Sequence, residues 1–575
     1  MGDLGSYADS LPSRIAALVH NHFDGLPKRS KPNIRDDGTA EWIPMTGIVL
    51  VKGENTPSEK LTCITVTTGA KCLPAGQIPL CKGLVLHDSH AEILAMRAFN
   101  FWLLSECQGY LAREKQEQEH AQAQAQAQSE STSSNNADGS GNKGEEDSVS
   151  PYIRRRKHGQ HESPYENENE NENEGKKAEP PFELHPGLKI YMYCTCAPCG
   201  DASMELVMAA QDDPTPWEIP VPTSTTPTSA SASVQFPPPT TPALHLPGRA
   251  NFSNLGSVRR KPARADAEST KSKSCSDKLS LRQVSSLLSY ETSLFVAVTA
   301  NVYISGVVLP EEEVCAVGVE RCFGGNGRMK ILNGRRWGNG GGGGGGDYEA
   351  GGEDPGKVER QEEGYTFHPF KIHTIPNKTL KALWPFRKPR PSDPIPEGAS
   401  FKRPKPGNLS AIWIRAPSAQ PAEPTLASTD NGSKTLPVLR GSKTGLFENI
   451  INGVRQGHKV ASPGVKGASA LSRAKMWRLC REVIVANDLL EGENGGSARD
   501  EGVNTHHKGA SMMSGVLQAE TYKKFKKDPV VATAGLRARN DAIQSTKETL
   551  KGWVPNSGDE DWGLDVLVDS RKRKR

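Results

Sequence analysis

The chain has 575 residues, of which 35% are hydrophobic, with 56 Gly and 42 Pro; this excludes a chain packed throughout, because long stretches bury too little apolar surface to offset the entropy of ordering them. The 71 basic and 67 acidic residues leave a net charge of +4, so no overall polycationic character marks a nucleic-acid binder and any basic surface must be local. Eleven irregularly spaced Cys do not resemble the disulfide framework of a secreted module and point to reduced thiols inside the cell.

The amino terminus, MGDLGSYADSLPSRIAALVHNHF, lacks the charged start and unbroken apolar core of a signal peptide and predicts an amphipathic helix. EWIPMTGIVLVK and KLTCITVTTG, rich in β-branched residues and joined through a Gly-containing connection, predict paired strands. SHAEILAMRAFNFWLLSECQGYL is apolar on nearly every face and predicts a helix buried against a sheet. LKIYMYCTC has strand character, and GDASMELVMAAQ after Pro198 and Cys199 predicts a second helix. The longest apolar stretch, LFVAVTANVYISGVVL, is broken by Thr299, Asn301 and Ser305 and falls short of a membrane span, so it predicts one or two buried strands.

Four insert-like regions interrupt this pattern: about 114–181, with AQAQAQAQ and ENENENENE; 214–247, rich in Pro, Thr and Ser; 335–362, around the run Gly340 to Gly346; and the Pro-rich 385–424. Their composition marks solvated loops and linkers. They fall between the pieces of one α/β layer and not around separate cores. One domain over 1–568 with large surface loops is therefore expected, ahead of a basic tail at 569–575; a division near the glycine run is the alternative.

Chemistry concentrates at the strand-to-helix turns. In HDSHAEIL, His90 stands two residues before Glu92. A metal-holding histidine beside a carboxylate that moves protons is the arrangement zinc-dependent base deaminases use to activate water. Residues two apart face different sides of a regular helix, so the pair can converge only at a helix start, with Ser89 as a possible N-cap. Catalytic zinc commonly takes three protein ligands. The thiolate candidates are Cys194, Cys196 and Cys199 in CTCAPCG, and Cys275 in SCSDK. Spacing favours Cys196 with Cys199, whereas Cys199 alone follows a proline at a helix start, where the helix dipole stabilises a thiolate. The general P-C-x-x-C deaminase pattern would place a second Cys where Ala202 stands.

With HAEIL, PCGDAS and SCSDK in this order, the chain resembles the A-to-I editase domain shared by tRNA-specific adenosine deaminases and double-stranded-RNA editing deaminases, with weaker similarity from about Arg14 to Trp562 outside the inserts. The resemblance implies a cytidine-deaminase-like three-layer α/β core with a central mixed sheet flanked by helices. It implies zinc held by His90, Cys199 and Cys275, and Glu92 as the proton shuttle for hydrolysis of adenosine to inosine. It also implies a buried inositol hexakisphosphate contacted by Arg97, Lys278, Tyr522, Lys526 and Trp553, with Asp88 and Lys278 linking it to the metal site. The sequence departs from the family where Leu281 replaces a frequent Arg, with Arg282 next to it; Arg537, Arg539 and Lys547 lie near another position without a clear match.

The segment GSVRRKPARADAESTKSKSC places Arg259, Arg260, Lys261 and Arg264 ahead of Cys275 and resembles the corresponding part of tRNA deaminases. These cations are candidates for phosphate contacts, although a basic run is also what a solvated loop looks like. The catalytic similarity begins almost at once, without preceding RNA-binding domains, which favours a tRNA anticodon loop with accessible bases over a duplex. By resemblance the target is the adenosine 3′ of the anticodon of alanine tRNA, position 37. The alternatives are deamination of another structured or double-stranded RNA, a free-nucleoside or cytidine deaminase, and a non-catalytic zinc-stabilised RNA-binding protein. No membrane association and no obligatory protein partner are expected. The terminal RKRKR is compatible with nuclear import or a cytoplasmic basic tail.

Overall fold

A computed structural model of the chain describes residues 9–34, 41–130, 150–156, 179–210, 246–247, 254–261, 268–338, 364–390, 405–418, 445–494, 514–527 and 533–568. The β-branched runs pair as expected: β1 (Met45–Lys52) lies antiparallel to β2 (Lys60–Thr68). Both are buried along nearly their whole length, as strands covered on two faces must be. They form the middle of an eight-stranded sheet with β3 (Leu188–Cys194), β4 (Ile304–Pro310), β5 (Lys371–Ile375), β6 (Ser410–Arg415), β7 (Gly445–Ile451) and β8 (Val454–Arg455). Its order is β5-β4-β3-β1-β2-β6-β7-β8. The pairs β3–β4 and β4–β5 are parallel and the others antiparallel, so the sheet is mixed.

Helices cover both faces. The amino-terminal amphipathic helix, α1 (Leu11–Asp24), starts with Pro12 in its first turn, where a missing N–H costs nothing. It buries Ile15, Ala16, Val19 and Phe23 against Val49, Tyr193 and Trp413. Gly47 permits that approach, since a Cβ there would lie 2.5 Å from Val19 Cγ2. On the opposite face α2 (Ala91–Glu130) packs beside α4 (Arg473–Asn494), with Leu94, Phe99, Trp102 and Trp477 excluded from solvent. Between them in sequence comes α3 (Cys275–Ser285), capped by Ser274, whose Oγ accepts from the Asp277 N–H at 3.1 Å. A last helix, α5 (Ala534–Leu550), packs on α3. This is the three-layer α/β architecture expected, and among the described residues no helix is long and apolar enough to cross a membrane.

Three boundaries differ from the sequence reading. The first insert does not begin at 114: α2 continues to Glu130 because Ala, Gln and Glu sustain a helix without a buried face. Within the same stretch Ile153–Arg155 pairs antiparallel with Phe182–Leu184, and Ile153 is fully buried. The Pro-rich region 385–424 contains β6, whose Ile412 and Trp413 pair with β2 at the centre of the sheet. The apolar stretch around Thr299 forms one strand, β4, preceded by buried turns. The glycine run, RKRKR and the Pro/Thr/Ser tract up to 245 lie outside the described residues, while Leu246–Pro247 at the end of that tract pairs parallel with Arg259–Arg260.

Candidate active site

Three segments converge at one end of the sheet. Ala70–Cys72 pairs antiparallel with Asp88–His90, so the chain enters α2 directly from a strand. The helix begins at Ala91, which puts His90, not Ser89, at the cap position and Glu92 in the first turn. Cys199 lies in the loop after β3, and Cys275 opens α3. The last two are drawn together at Gly200, whose φ of 113° favours glycine and where a Cβ would stand 2.2 Å from Ser274 Oγ. The Ser276 N–H donates to Cys199 O at 3.0 Å, and Ser276 Oγ donates to Pro198 O at 3.1 Å.

The convergence leaves His90 Nδ1 3.8 Å from Cys199 Sγ and 3.6 Å from Cys275 Sγ. Tetrahedral zinc with ordinary Zn–S and Zn–N bonds places its sulfur and nitrogen donors roughly 3.6 Å apart, so these residues fit the ion. The donor chemistry also fits. A hydrogen bond from Cys275 holds the Cys199 thiol well below its usual range, and Lys261 and His90 add to this. Burial and Lys261 push His90 down, but Cys72 and Cys199 overcome them and raise it to about 10. Thiolate and proton thus occupy positions that metal binding would exchange. Cys194 instead accepts from Thr46 Oγ1 at 3.5 Å within the strand, and burial keeps both Cys194 and Cys196 protonated. Glu92 is 5% exposed; burial first, then Cys199, raises its carboxyl above the ordinary range.

Asp88 is the polar centre behind these ligands. Its Oδ1 accepts from the His90 N–H at 3.0 Å and the Cys72 thiol at 3.3 Å, while its Oδ2 accepts from Ser272 Oγ at 2.9 Å and from Lys278. Lys261 Nζ reaches both oxygens, at 3.1 and 2.9 Å, and lies 3.2 Å from Cys275 Sγ. Burial alone would raise the Asp88 carboxyl, but Lys261 and Lys278 hold it well below the usual range.

Beyond Asp88 opens a cavity of about 340 Å³ lined by seven cationic side chains: Arg97, Lys273, Lys278, Arg282, Arg473, Lys526 and Arg539. Asp88 and Glu291 are the acids in its wall. Tyr522 and Trp553 line it as well, so every residue expected to contact a polyanion is present. Leu281 is in the wall too, and Arg282 brings a guanidinium there. Burial lowers Lys526 to about 8, and burial with Lys278 and Lys547 lowers Lys273 to about 7. Among the described residues no partner reaches the buried donor Arg539 Nε. An excess of crowded, desolvated cations around a void is what a polyanion would neutralise.

Residues 65–136 and 158–328 match the family model of the adenosine-deaminase (editase) domain. Over these segments the chain is similar to that domain. It is 32% identical over 320 residues to tRNA-specific adenosine deaminase 1 of Schizosaccharomyces pombe, covering 55% of this chain and 62% of that protein. It is 28% identical over 282 residues to tRNA-specific adenosine deaminase 1 of Saccharomyces cerevisiae, covering 49% of this chain and 54% of the relative. A shorter match, 36% identical over 72 residues, is to double-stranded RNA-specific editase B2 of Mus musculus, covering 12% of this chain and 9% of that protein. The chain thus spans between half and two thirds of the length of the two yeast relatives.

The basic run beside the candidate metal site is not a set of surface contacts. Arg259 is fully buried and donates to Asn254 O at 2.8 Å, while its backbone N–H donates to Asp277. Lys261 is 5% exposed and committed to Asp88 and Cys275. Neither can reach an RNA phosphate, and the expectation is corrected for both. Arg260 is half-buried, and Arg264 lies outside the described residues. Sequence reasoning missed Lys273, Arg473 and Asn556 in the cavity wall. The available signal was cations flanking buried apolar residues, as with Arg473 ahead of Ala474 and Trp477.

Proposed function

We propose that this chain is a zinc-dependent hydrolytic adenosine deaminase acting on tRNA, converting the adenosine just 3′ of the anticodon of alanine tRNA, position 37, to inosine. The observation that carries the reading is the convergence of His90, Cys199 and Cys275 at zinc-forming separations beside buried Glu92. Zinc, when bound, supplies a water activated for attack near neutral pH. His90, Cys199 and Cys275 would hold it through three donors and leave one position open.

Glu92 then moves the protons. Its carboxylate takes one proton from the water that attacks C6 of adenine and delivers it to N1; it then takes the proton of the new C6 hydroxyl and delivers it to the departing amine, so adenosine and water become inosine and ammonia. The raised Glu92 carboxyl suits a group that must both take and give a proton. Lys261, 3.2 Å from Cys275 Sγ, would favour that sulfur as a thiolate ligand, and Asp88 fixes the backbone of His90. We further propose inositol hexakisphosphate as the occupant of the basic cavity, with Arg97, Lys278, Tyr522, Lys526 and Trp553 among its contacts. The tRNA assignment is supported by the names of the relatives that match over the longest segments.

The test is incubation of the purified chain with an alanine tRNA transcript, followed by sequencing for A-to-G changes. Wild type edits one site and Glu92→Ala none; absence of inosine from the wild type overturns the proposal.

A further inference from the structure

A second basic surface lies outside the metal site and adjoins the enclosed cavity at Trp553, which lines both. A cluster of Val258, Val284, Met329, Leu332, Tyr365, Ala538, Ala542 and Leu550 carries Trp337 and Trp553 half-buried against it. Trp337 pairs with Tyr365 in a two-stranded ribbon, just after a turn at Gly334. Exposed Lys330, Arg335 and Arg336 surround it. Lys547 of α5 and Lys551 just after it line an open cavity of about 420 Å³ with Trp553, Gln544 and Glu548. Among the described residues Lys330, Arg335, Lys547 and Lys551 form no ion pair. The acids on the same helix face are Glu548, which accepts from Gln544 at 2.8 Å, and Asp541 a turn or two earlier.

This face is tethered to the metal site. Asp277, two residues after Cys275, accepts from the Arg259 N–H at 2.9 Å and from Arg328 at 2.8 Å. Val258 and Met329, the neighbours of those residues in sequence, belong to the cluster under the two tryptophans. Five cations interleaved with two half-exposed aromatic rings complement a phosphodiester backbone better than an apolar partner.

We infer that this face, built from Lys330, Arg335, Arg336, Lys547 and Lys551 around Trp337 and Trp553, binds the RNA backbone of the stem leading to the target loop. The inference rests on the proposed reaction for the identity of the RNA but not for its measurement. The experiment titrates a fluorescent alanine tRNA transcript with the full chain by anisotropy across a salt series. It compares wild type, a Lys330→Glu/Arg335→Glu/Lys551→Glu variant, and a control of equal charge change, Lys52→Glu/Lys60→Glu/Lys459→Glu. Each phosphate contact contributes roughly 0.7–0.9 to the slope of log affinity against log salt, so the face variant should bind at least ~10-fold more weakly with a slope smaller by about 2. Its turnover at saturating RNA and its melting temperature should match the wild type. Should the triple variant unfold, Arg335→Glu and Lys551→Glu are measured singly, each with a slope smaller by about 1. Affinity and slope equal to those of the control overturn the inference, whatever else the face contacts. A wild type that binds with this slope but forms no inosine leaves the face standing and removes the proposed reaction instead.

Discussion

Lys261→Met separates the buried reading of this lysine from a surface one. Its ammonium lies 2.9 and 3.1 Å from the two oxygens of Asp88, with side-chain exposures of 4% and 6% for the pair, and 3.2 Å from Cys275 Sγ. Removing one partner of a buried pair costs about 3–5 kcal/mol because it leaves the other charge uncompensated. Lys278 and Ser272 still donate to Asp88, which places the loss near the lower figure, about 3 kcal/mol. At roughly 2 °C per kcal/mol for a large domain, the melting temperature should fall by about 6 °C. Loss of the donor behind Cys275 should also weaken zinc about 10- to 100-fold, as removal of an outer partner of a metal ligand does. The assays are thermal melting and zinc competition against a chelator. A lysine that contacts RNA would raise KM and leave both quantities alone; that outcome refutes the reasoning.

Gly200→Ala should cost more than 2 kcal/mol, since it combines a φ of 113° with a Cβ 2.2 Å from Ser274 Oγ, and should release zinc because Cys199 and the cap of α3 move apart; a normal melt with full zinc content counts against this. Zinc measured by mass spectrometry should vanish in Cys275→Ala and persist in Cys196→Ala, and the reverse result would reassign the ligands. The cavity predicts a pH trend that ligand should remove. When it is empty, Lys273 at about 7 and Lys526 at about 8 sit below their ordinary 10.5. The unfolded chain then binds more protons than the folded one between those values, so stability rises with pH through that window. A bound polyanion keeps both lysines charged, so the stabilisation it adds should shrink from pH 6.5 to 9. Melting curves with and without inositol hexakisphosphate check this, and an increment that grows with pH contradicts it.

Local pattern explains what the sequence made legible. β1 and β2 announce themselves by β-branched residues, α2 by an apolar face, and His90, Cys199 and Cys275 by residue types that have few common uses at such turns. β6 was hidden because SAIWIR is six residues long between prolines, and only its pairing with β2 and β7 makes it a strand. The basic run misled for a different reason. Arg259 and Lys261 look like solvated cations until Asp277 and Asp88, 18 and 173 residues away in sequence, are folded beside them. The cavity cations are scattered from Arg97 to Arg539, a separation over which no periodicity operates.

The two candidate sites share one carboxylate, and this constrains how the fold can work. Asp88 receives the His90 backbone and Lys261 on the metal side, and Lys278, which lines the cavity, on the other. A polyanion in the cavity would compete with Asp88 for the Lys278 ammonium and at the same time neutralise the repulsion between Lys278 and Lys273. The charge of the cavity would therefore act on the Asp88 carboxylate that accepts from the His90 N–H. The coupling is reciprocal, since a free energy that links the two sites must appear at both. On this reading the basic cavity would act on the candidate metal site only by positioning, through Asp88.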